Sequence, residues 1–447
     1  MRRRRRESRS GLRWIVAVLL LIAAAWVVWR PSIDPAAAGR GVPYEVERVQ
    51  RGSQLAAIGN CNVCHTRDAG APYAGGRPIV TPFGTVFSSN ITPDPETGIG
   101  GWTPAAFTRA MREGVSRDGT HLYPAFPYDH MTRMRQADID AVYAFIMTRQ
   151  PAVAQRPDNE LSFPFNLRAL VAFWKLLFLD RDAAPASAQQ SPEWNAGAYL
   201  VEGLGHCGAC HTPRNALGAE KRERAYAGGE TEGWIAPALN AESPSVVPWD
   251  AERLYRYLRF GFSERHGLAA GPMAPVVRNL SLVPDSDVRA ISTYVAAMAG
   301  QPNAARSQAA SRALARASGT GAVPAGANNT VAASLYAGAC APCHGEAGRL
   351  PPDPALHLAL SSSLRLAQPD NLVRIIRDGV QRPDLGGEPL MPGFASALSD
   401  PQVTALVAYL RTAFTEQPAV GDIGQSLRRA RESEAEKLRA QQKASLP

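Results

Sequence analysis

Three things are scarce in this sequence: net charge beyond the extreme N-terminus, long apolar runs beyond residue 29, and cysteine outside three short motifs. The chain has 447 residues, 48 Lys+Arg against 40 Asp+Glu and a formal charge of +8. Its pI of 9.3 raises the question of a nucleic-acid partner. The position of the charge answers it. Residues 1–13 hold seven Arg (Arg2 to Arg6, Arg9 and Arg13) against Glu7 alone, so six of the eight net charges sit there. The rest of the chain is close to neutral, and no nucleic acid is expected as a partner. Gly and Pro number 38 and 36, too few for a low-complexity chain. With 45% hydrophobic residues, several packed cores are possible and wholesale disorder is excluded.

The one long apolar run, Trp14 to Trp29, follows the basic tip and ends at Arg30-Pro31. A basic region followed by an apolar run is an export signal. Sixteen residues fall just short of the ~17–25 of a spanning helix, although Arg13 and Arg30 can snorkel and Trp14, Trp26 and Trp29 suit an interface. The positive-inside rule leaves the Arg cluster in the cytoplasm. Residues 1–31 are therefore expected to anchor the chain on the periplasmic side of the cytoplasmic membrane. The alternative is a cleaved signal peptide, with Ala36-Ala37-Ala38 offering small residues. Val171 to Leu179 is too short to span and contains Lys175.

An exported chain with six Cys suggests three disulfides, but the spacing argues otherwise. The cysteines form three C-x-x-C-H groups: Cys61/Cys64/His65, Cys207/Cys210/His211 and Cys340/Cys343/His344. This is the attachment signature of a c-type haem, in which two thiols bind the porphyrin and the adjacent His becomes the proximal iron ligand. Zinc would need the motifs to pool ligands in fours, and they lie far apart in the chain. Three covalent haems are expected.

The motifs lie on an internal repeat. Midway in each unit an apolar-periodic stretch ends in Arg-x-Gly, at Arg112/Gly114, Arg259/Gly261 and Arg377/Gly379, with the Gly as a helix C-cap. Each unit closes on a second such stretch, through Ile139/Val142/Phe145, Val288/Ile291/Tyr294 and Val403/Leu406/Tyr409. Each unit resembles the class I cytochrome c fold. The expectation is a mainly α chain of three tandem domains, at 44–150, 191–300 and 329–416. Between them lie a 151–190 linker with an amphipathic segment and a flexible, Ala/Ser-rich 301–328 linker; a charged 417–447 tail follows, expected as a solvated helix or a docking tail. The amphipathic stretch is expected to pack between domains, or to face a partner or the membrane.

That resemblance implies a late Met as the sixth iron ligand. Gly271-Pro272-Met273 and Pro389-Leu390-Met391-Pro392 supply Met273 and Met391 at matching places. The first unit breaks the pattern, with Pro124-Ala125-Phe126-Pro127 there. His130, Met131 and Met134 are the nearby candidates, a five-coordinate iron the remaining option. Of the other His, His206 is expected at a haem edge, and His121, His266 and His357 on the surface or in loops. Trp102 and Trp234 are expected as pocket walls.

The whole of 44–415 resembles the cytochrome c subunits of bacterial membrane-associated dehydrogenases, which act on alcohols, gluconate, sugars or aldehydes. The most specific pieces are Thr81-Pro-Phe-Gly84, Asn90-Ile-Thr-Pro-Asp-Pro-Glu-Thr-Gly-Ile-Gly-Gly-Trp102 and Asp118-Gly-Thr-His-Leu-Tyr-Pro124. The Phe126-Pro-Tyr-Asp-His130 form looks more like cytochromes paired with molybdenum hydroxylases, such as the isoquinoline- or nicotinate-oxidising type. The resemblance implies an electron-transfer subunit with no catalysis of its own. It would carry electrons from a catalytic dehydrogenase subunit to quinone, a soluble cytochrome or a terminal oxidase. The rival readings are a self-contained haem enzyme such as a peroxidase, and a cytochrome subunit of a respiratory oxidase.

Overall fold

The computed structural model describes residues 14–19, 22–35, 43–181, 186–317, 330–345, 356–381, 389–415, 417 and 422–445. The Arg cluster of residues 1–13, Ala36 to Ala38 and the second half of the Ala/Ser-rich linker lie outside these residues. The fold is mainly helical, with four small antiparallel sheets.

The first domain runs from helix Val46–Ile58 through the motif helix Cys61–His65 to the hairpin Pro78–Thr81/Gly84–Phe87. Helices Pro104–Glu113, Tyr128–Met131 and Gln136–Met147 follow. The second domain repeats the plan with Pro192–Glu202, Gly208–His211, the hairpin Gly229–Thr231/Trp234–Ala236, Ala251–Phe260, Met273–Leu280 and Asp285–Met298. The third has Thr330–Ala339, Ala341–His344, Asp370–Asp378 and Asp400–Phe414.

Local chemistry sets the boundaries. Thr103, Ser191 and Asp250 accept the N–H three residues on and start their helices. The three expected C-cap glycines, Gly114, Gly261 and Gly379, all have positive φ (58°, 81° and 76°), where a glycine ends a helix without strain. The first and last helices of each of the first two domains cross at a glycine. A Cβ on Gly52 would collide with the Ala141 carbonyl, and one on Gly197 with that of Ala290.

The expected apolar faces are buried: Ile139 and Val142, Val288 and Ile291, Val403 and Leu406. One continuous core joins the first two domains, from Leu55 through Phe145 and Leu204 to Val295. The third has its own, around Tyr336, Leu372 and Leu406.

Three expectations are corrected. Part of the Ala/Ser-rich linker is helix Ala304–Ala317, seated by buried Ala310, Ala313 and Ala317; alanine is the strongest helix former, and this spacing gives it one apolar stripe. The charged tail is helix Ile423–Ser445, whose Ile423, Leu427 and Ala430 complete the third core. His121, His266 and His357 do lie in loops, but buried (4%, 6% and 8% exposed) rather than on the surface. A neutral imidazole suits a core when its nitrogens are paired, as those of His121 and His266 are. Residues 14–19 and 22–28 are helical; among the described residues no helix is long and apolar enough to cross a membrane, which leaves the expected spanning anchor without support from the fold. Sixteen residues make roughly 24 Å of helix, against a hydrocarbon core of about 30 Å.

Candidate haem sites

All six cysteines are free thiols, none joined to its neighbour one helical turn away. Burial pushes Cys61 and Cys207 up to about 12, so the groups at these positions are neutral. In each motif the His is fixed in the same way. Nδ1 of His65 donates to the Ser89 carbonyl (2.7 Å), that of His211 to Pro237 (2.7 Å) and that of His344 to Leu356 (2.8 Å). This fixes the ring orientation and tautomer, and among the described residues it leaves Nε2 free to meet a metal. Burial holds His65 and His211 below the usual imidazole value, so both are neutral and able to ligate. Paired thiols beside an oriented imidazole, three times over, are the donor set of covalent haem.

Of the expected methionines, Met273 opens helix Met273–Leu280. Gly271, at φ 54°, lets that loop close on Trp234, whose ring leaves no room for a Cβ. Met391 ends a strand paired with Val380, beside Gly379. The Arg of the Arg-x-Gly pattern staples this region. Arg112 donates to the carbonyls of Thr132 and Met134, and Arg259 to those of Leu280 and Val283. In the third domain Arg377 instead pairs with Glu434 of the tail helix (3.1 Å).

Counted back from Arg135 and Pro284, the N-caps of their last helices, the first two domains align residue by residue. Pro124 then stands at the place of Met273, Met131 at that of Leu280, and Met134 at that of Val283. Met131 and Met134 are 3% and 2% exposed and belong to the shared core, as Leu280 and Val283 do.

His130 stands at the place of Asn279 and is fully engaged by the second domain. Nδ1 donates to the Glu202 carbonyl (3.0 Å) and Nε2 meets Glu220 Oε1 (2.7 Å). Burial would depress its pKa, but Glu220, with Asp129, outweighs it and holds the ring above its usual value. An imidazolium donating from both nitrogens has no lone pair for iron, so the geometry speaks against His130 as a ligand.

Asn279 makes the reciprocal reach. It donates to Asn60 Oδ1 (2.8 Å) and Asn62 Oδ1 (2.9 Å), and accepts from Asn62 Nδ2 (3.2 Å). His206, beside the second motif, meets the Gly59 carbonyl beside the first (3.2 Å). Arg77 ties Val63 of the first motif to Glu232 of the second domain (2.7 Å each). Cys210 lies near enough to Cys64 to help raise its pKa, after burial as the main cause. The first two motifs are thus brought face to face. The third domain joins the second through Asn371, bonded to both N and O of Ile235 (2.8 Å each), and through Arg374 on the Gly233 carbonyl (2.8 Å). Gln441 and Lys443 of the tail helix reach Asp68 of the first domain and Glu160 of the 151–190 linker.

Motif spacing alone does not reveal these bridging residues. One sequence signal existed: the first motif encloses Asn62-Val63, where the others enclose Gly-Ala and Ala-Pro.

Comparison with known proteins agrees. Residues 49–150 match the family described as Cytochrome c, and residues 327–410 that described as Cytochrome C oxidase, cbb3-type, subunit III. The chain is 46% identical over 409 residues to a nicotinate dehydrogenase subunit of Pseudomonas putida, covering 90% of this chain and 33% of that protein. It thus spans about a third of that relative's length. It is 33% identical over 419 residues to the fructose dehydrogenase cytochrome subunit of Gluconobacter japonicus, covering 89% and 85%. It is 35% identical over 386 residues to the gluconate 2-dehydrogenase cytochrome c subunit of Pantoea cypripedii, covering 81% and 85%.

Proposed function

The chain belongs to the family of cytochrome c subunits of bacterial dehydrogenases, and from that premise we propose that it is a three-haem electron relay for a separate catalytic subunit. The observation that carries this reading is the threefold recurrence of one arrangement: paired thiols beside a His whose Nδ1 is held by a backbone carbonyl. Cys61, Cys64 and His65 would hold the first haem, Cys207, Cys210 and His211 the second, and Cys340, Cys343 and His344 the third. Met273 and Met391 would close the second and third irons. The first has no methionine at that place, which sets it apart from the other two. Bound there, the haems supply one-electron redox chemistry.

The chain's own residues set the order of contact. The asparagine cluster and His130 hold the first and second sites together, and Asn371 and Arg374 hold the third against the second. The catalytic partner is a dehydrogenase of the nicotinate-oxidising, molybdenum hydroxylase kind. The higher identity to the nicotinate dehydrogenase subunit supports this, as does the Phe126-Pro-Tyr-Asp-His130 loop. Electrons leave to quinone, a soluble cytochrome or an oxidase. Residues 14–29 hold the chain at the periplasmic face of the cytoplasmic membrane.

Haem quantitation by the pyridine haemochrome method tests the count: three per chain is expected, and two would overturn the reading at one motif. Purification of the chain from solubilised membranes tests the partner. A molybdenum-containing subunit is expected to accompany it; a flavin or quinoprotein subunit would move it to another branch, and a haem–copper protein would make it an oxidase component.

A further inference from the structure

Helix Ala169–Phe178 is amphipathic in the inverse sense for a protein surface. It buries Val171, Ala172 and its single lysine, and turns Leu170, Phe173, Leu176 and Leu177 outward at 43%, 38%, 65% and 70% exposure. Lys175 is 9% exposed. It donates to the Gly114 carbonyl (2.6 Å) and to Nδ1 of His121 (3.0 Å), and lies over the Tyr128 ring. The loop before the helix adds Phe163 at 79% and Leu167 at 47%. A helix facing water puts its charge outward and its leucines inward. A contiguous apolar patch of this kind marks a surface made for another phase or another molecule.

A second observation identifies the phase. The apolar N-terminal segment leaves the first domain at this same edge. His121, which accepts from Lys175, donates through Nε2 to the Val28 carbonyl (2.9 Å). Arg168, at the start of the helix, donates to the His121 carbonyl (2.9 Å). Arg109 holds the Pro31 carbonyl (2.7 Å), and the Ile33 N–H meets the Arg117 carbonyl (2.8 Å). Beyond this clamp Trp14, Ile22, Trp26 and Trp29 are 74%, 59%, 76% and 67% exposed. Two exposed apolar segments therefore adjoin, joined through one histidine.

We propose that helix Ala169–Phe178 and the Phe163–Leu167 loop lie in the interface of a lipid bilayer, beside the N-terminal segment, so that the membrane is met at two places. An interfacial helix of this kind sinks its apolar face to the boundary between headgroups and acyl chains. Arg168 and Arg181 flank it at the level of the phosphates. Contact at two places fixes the orientation of the first domain, with Gly114 and His121 toward the bilayer, where a single tether would leave it free to turn. The proposal rests on reading residues 14–29 as a membrane segment.

The test uses the full-length, haem-loaded chain, whose native cysteines are occupied, with a nitroxide label on Leu176→Cys or, separately, on Val18→Cys. Vesicles of phosphatidylcholine and phosphatidylglycerol are added. The label at 176 is expected to become several-fold less accessible to a water-soluble nickel relaxant and more accessible to oxygen. Adding Phe173→Glu and Leu177→Glu, both at exposed positions, should return it to water with the haem spectrum unchanged. If the label at 18 enters the lipid while that at 176 stays in water, the proposal fails and the reading of residues 14–29 stands. If neither enters, both fail. If the label at 176 is shielded only when a dehydrogenase subunit is present, the face is a protein interface and the proposal is overturned.

Discussion

His130 and Asn279 stand at the same place in two adjacent domains, and each is hydrogen-bonded into the surroundings of the other domain's haem motif. Asn279 grips Asn60 and Asn62 around the first motif. His130 bonds Glu202 and Glu220, on either side of the second. The contact has an approximate twofold character that follows from packing two copies of one fold on the same loop.

Asn279 is 2% exposed, so removing it leaves the side-chain oxygen of buried Asn60 and the amide of half-buried Asn62 without their partner. Asn279→Ala is expected to cost about 1–3 kcal/mol per group left unsatisfied. The loss should appear in denaturant titration as a lower midpoint for the unit formed by the first two domains. An unchanged midpoint would mean that water replaces the side chain.

His130→Gln is expected to leave the spin state of the first haem as it is in the unaltered chain, because His130 is occupied by Glu202 and Glu220. Its effect should fall on the cohesion of the two domains. Electron paramagnetic resonance of the variant decides this. A new high-spin signal would return His130 to the iron.

Met273→Leu and Met391→Leu should each abolish methionine-to-iron charge-transfer absorbance at one haem. Each should also convert that haem to a high-spin or newly ligated form with a lower potential. Met131→Leu and Met134→Leu, at core positions, should change neither spectrum nor potential; substitutions of this kind usually cost under ~1.5 kcal/mol. Redox titration of the four variants separates ligands from packing residues.

His266 sets an acid limit on the second domain. Burial is the main cause that lowers its pKa to about 4. The Val247 carbonyl opposes that shift, Asp250 opposes it weakly, and Arg253 and Arg265 add to it. The ring is neutral, with Nε2 donating to Val247 (3.0 Å), Nδ1 accepting from Ser263 (3.1 Å) and Trp249 stacked on its face. Between pH 6.5 and 4 the unfolded chain binds a proton that the folded one refuses. Stability is therefore full above pH 6.5 and falls by roughly 3 kcal/mol as the pH drops to 4. His266→Phe, which keeps the stacking, should flatten this part of the profile. A parallel fall in wild type and variant would assign the acid loss elsewhere.

Gly197→Ala should be among the most damaging of small substitutions. The added methyl meets the Ala290 carbonyl at the crossing of the first and last helices of the second domain. Overpacking there is expected to cost about 1–3 kcal/mol or more. The same change at Gly267, which has open space around it but positive φ, should cost about 1 kcal/mol, from the backbone alone. Thermal melts of the two variants compare steric with conformational cost.

The sequence by itself determined the covalent chemistry. Cys-x-x-Cys-His is local: two thiols and an imidazole fall within one turn of helix whatever surrounds them, so the three attachment sites were legible from spacing alone. These remain candidate sites until haem is counted. The C-cap glycines were legible too, because a left-handed residue at a helix end depends only on its neighbours in the chain. The buried faces of the closing helices followed from apolar periodicity. What required the tertiary structure was everything that depends on which distant groups meet. A histidine next to a haem loop looks like a ligand until Glu202 and Glu220 arrive from another domain to occupy both its nitrogens. A charged tail looks solvated until three apolar residues on one stripe find the third core. Lys175, in the middle of an apolar stretch, marks the polar side of a helix by any periodic reading. Only the fold, which places Gly114 and His121 beneath it, turned that side inward and left the leucines outside.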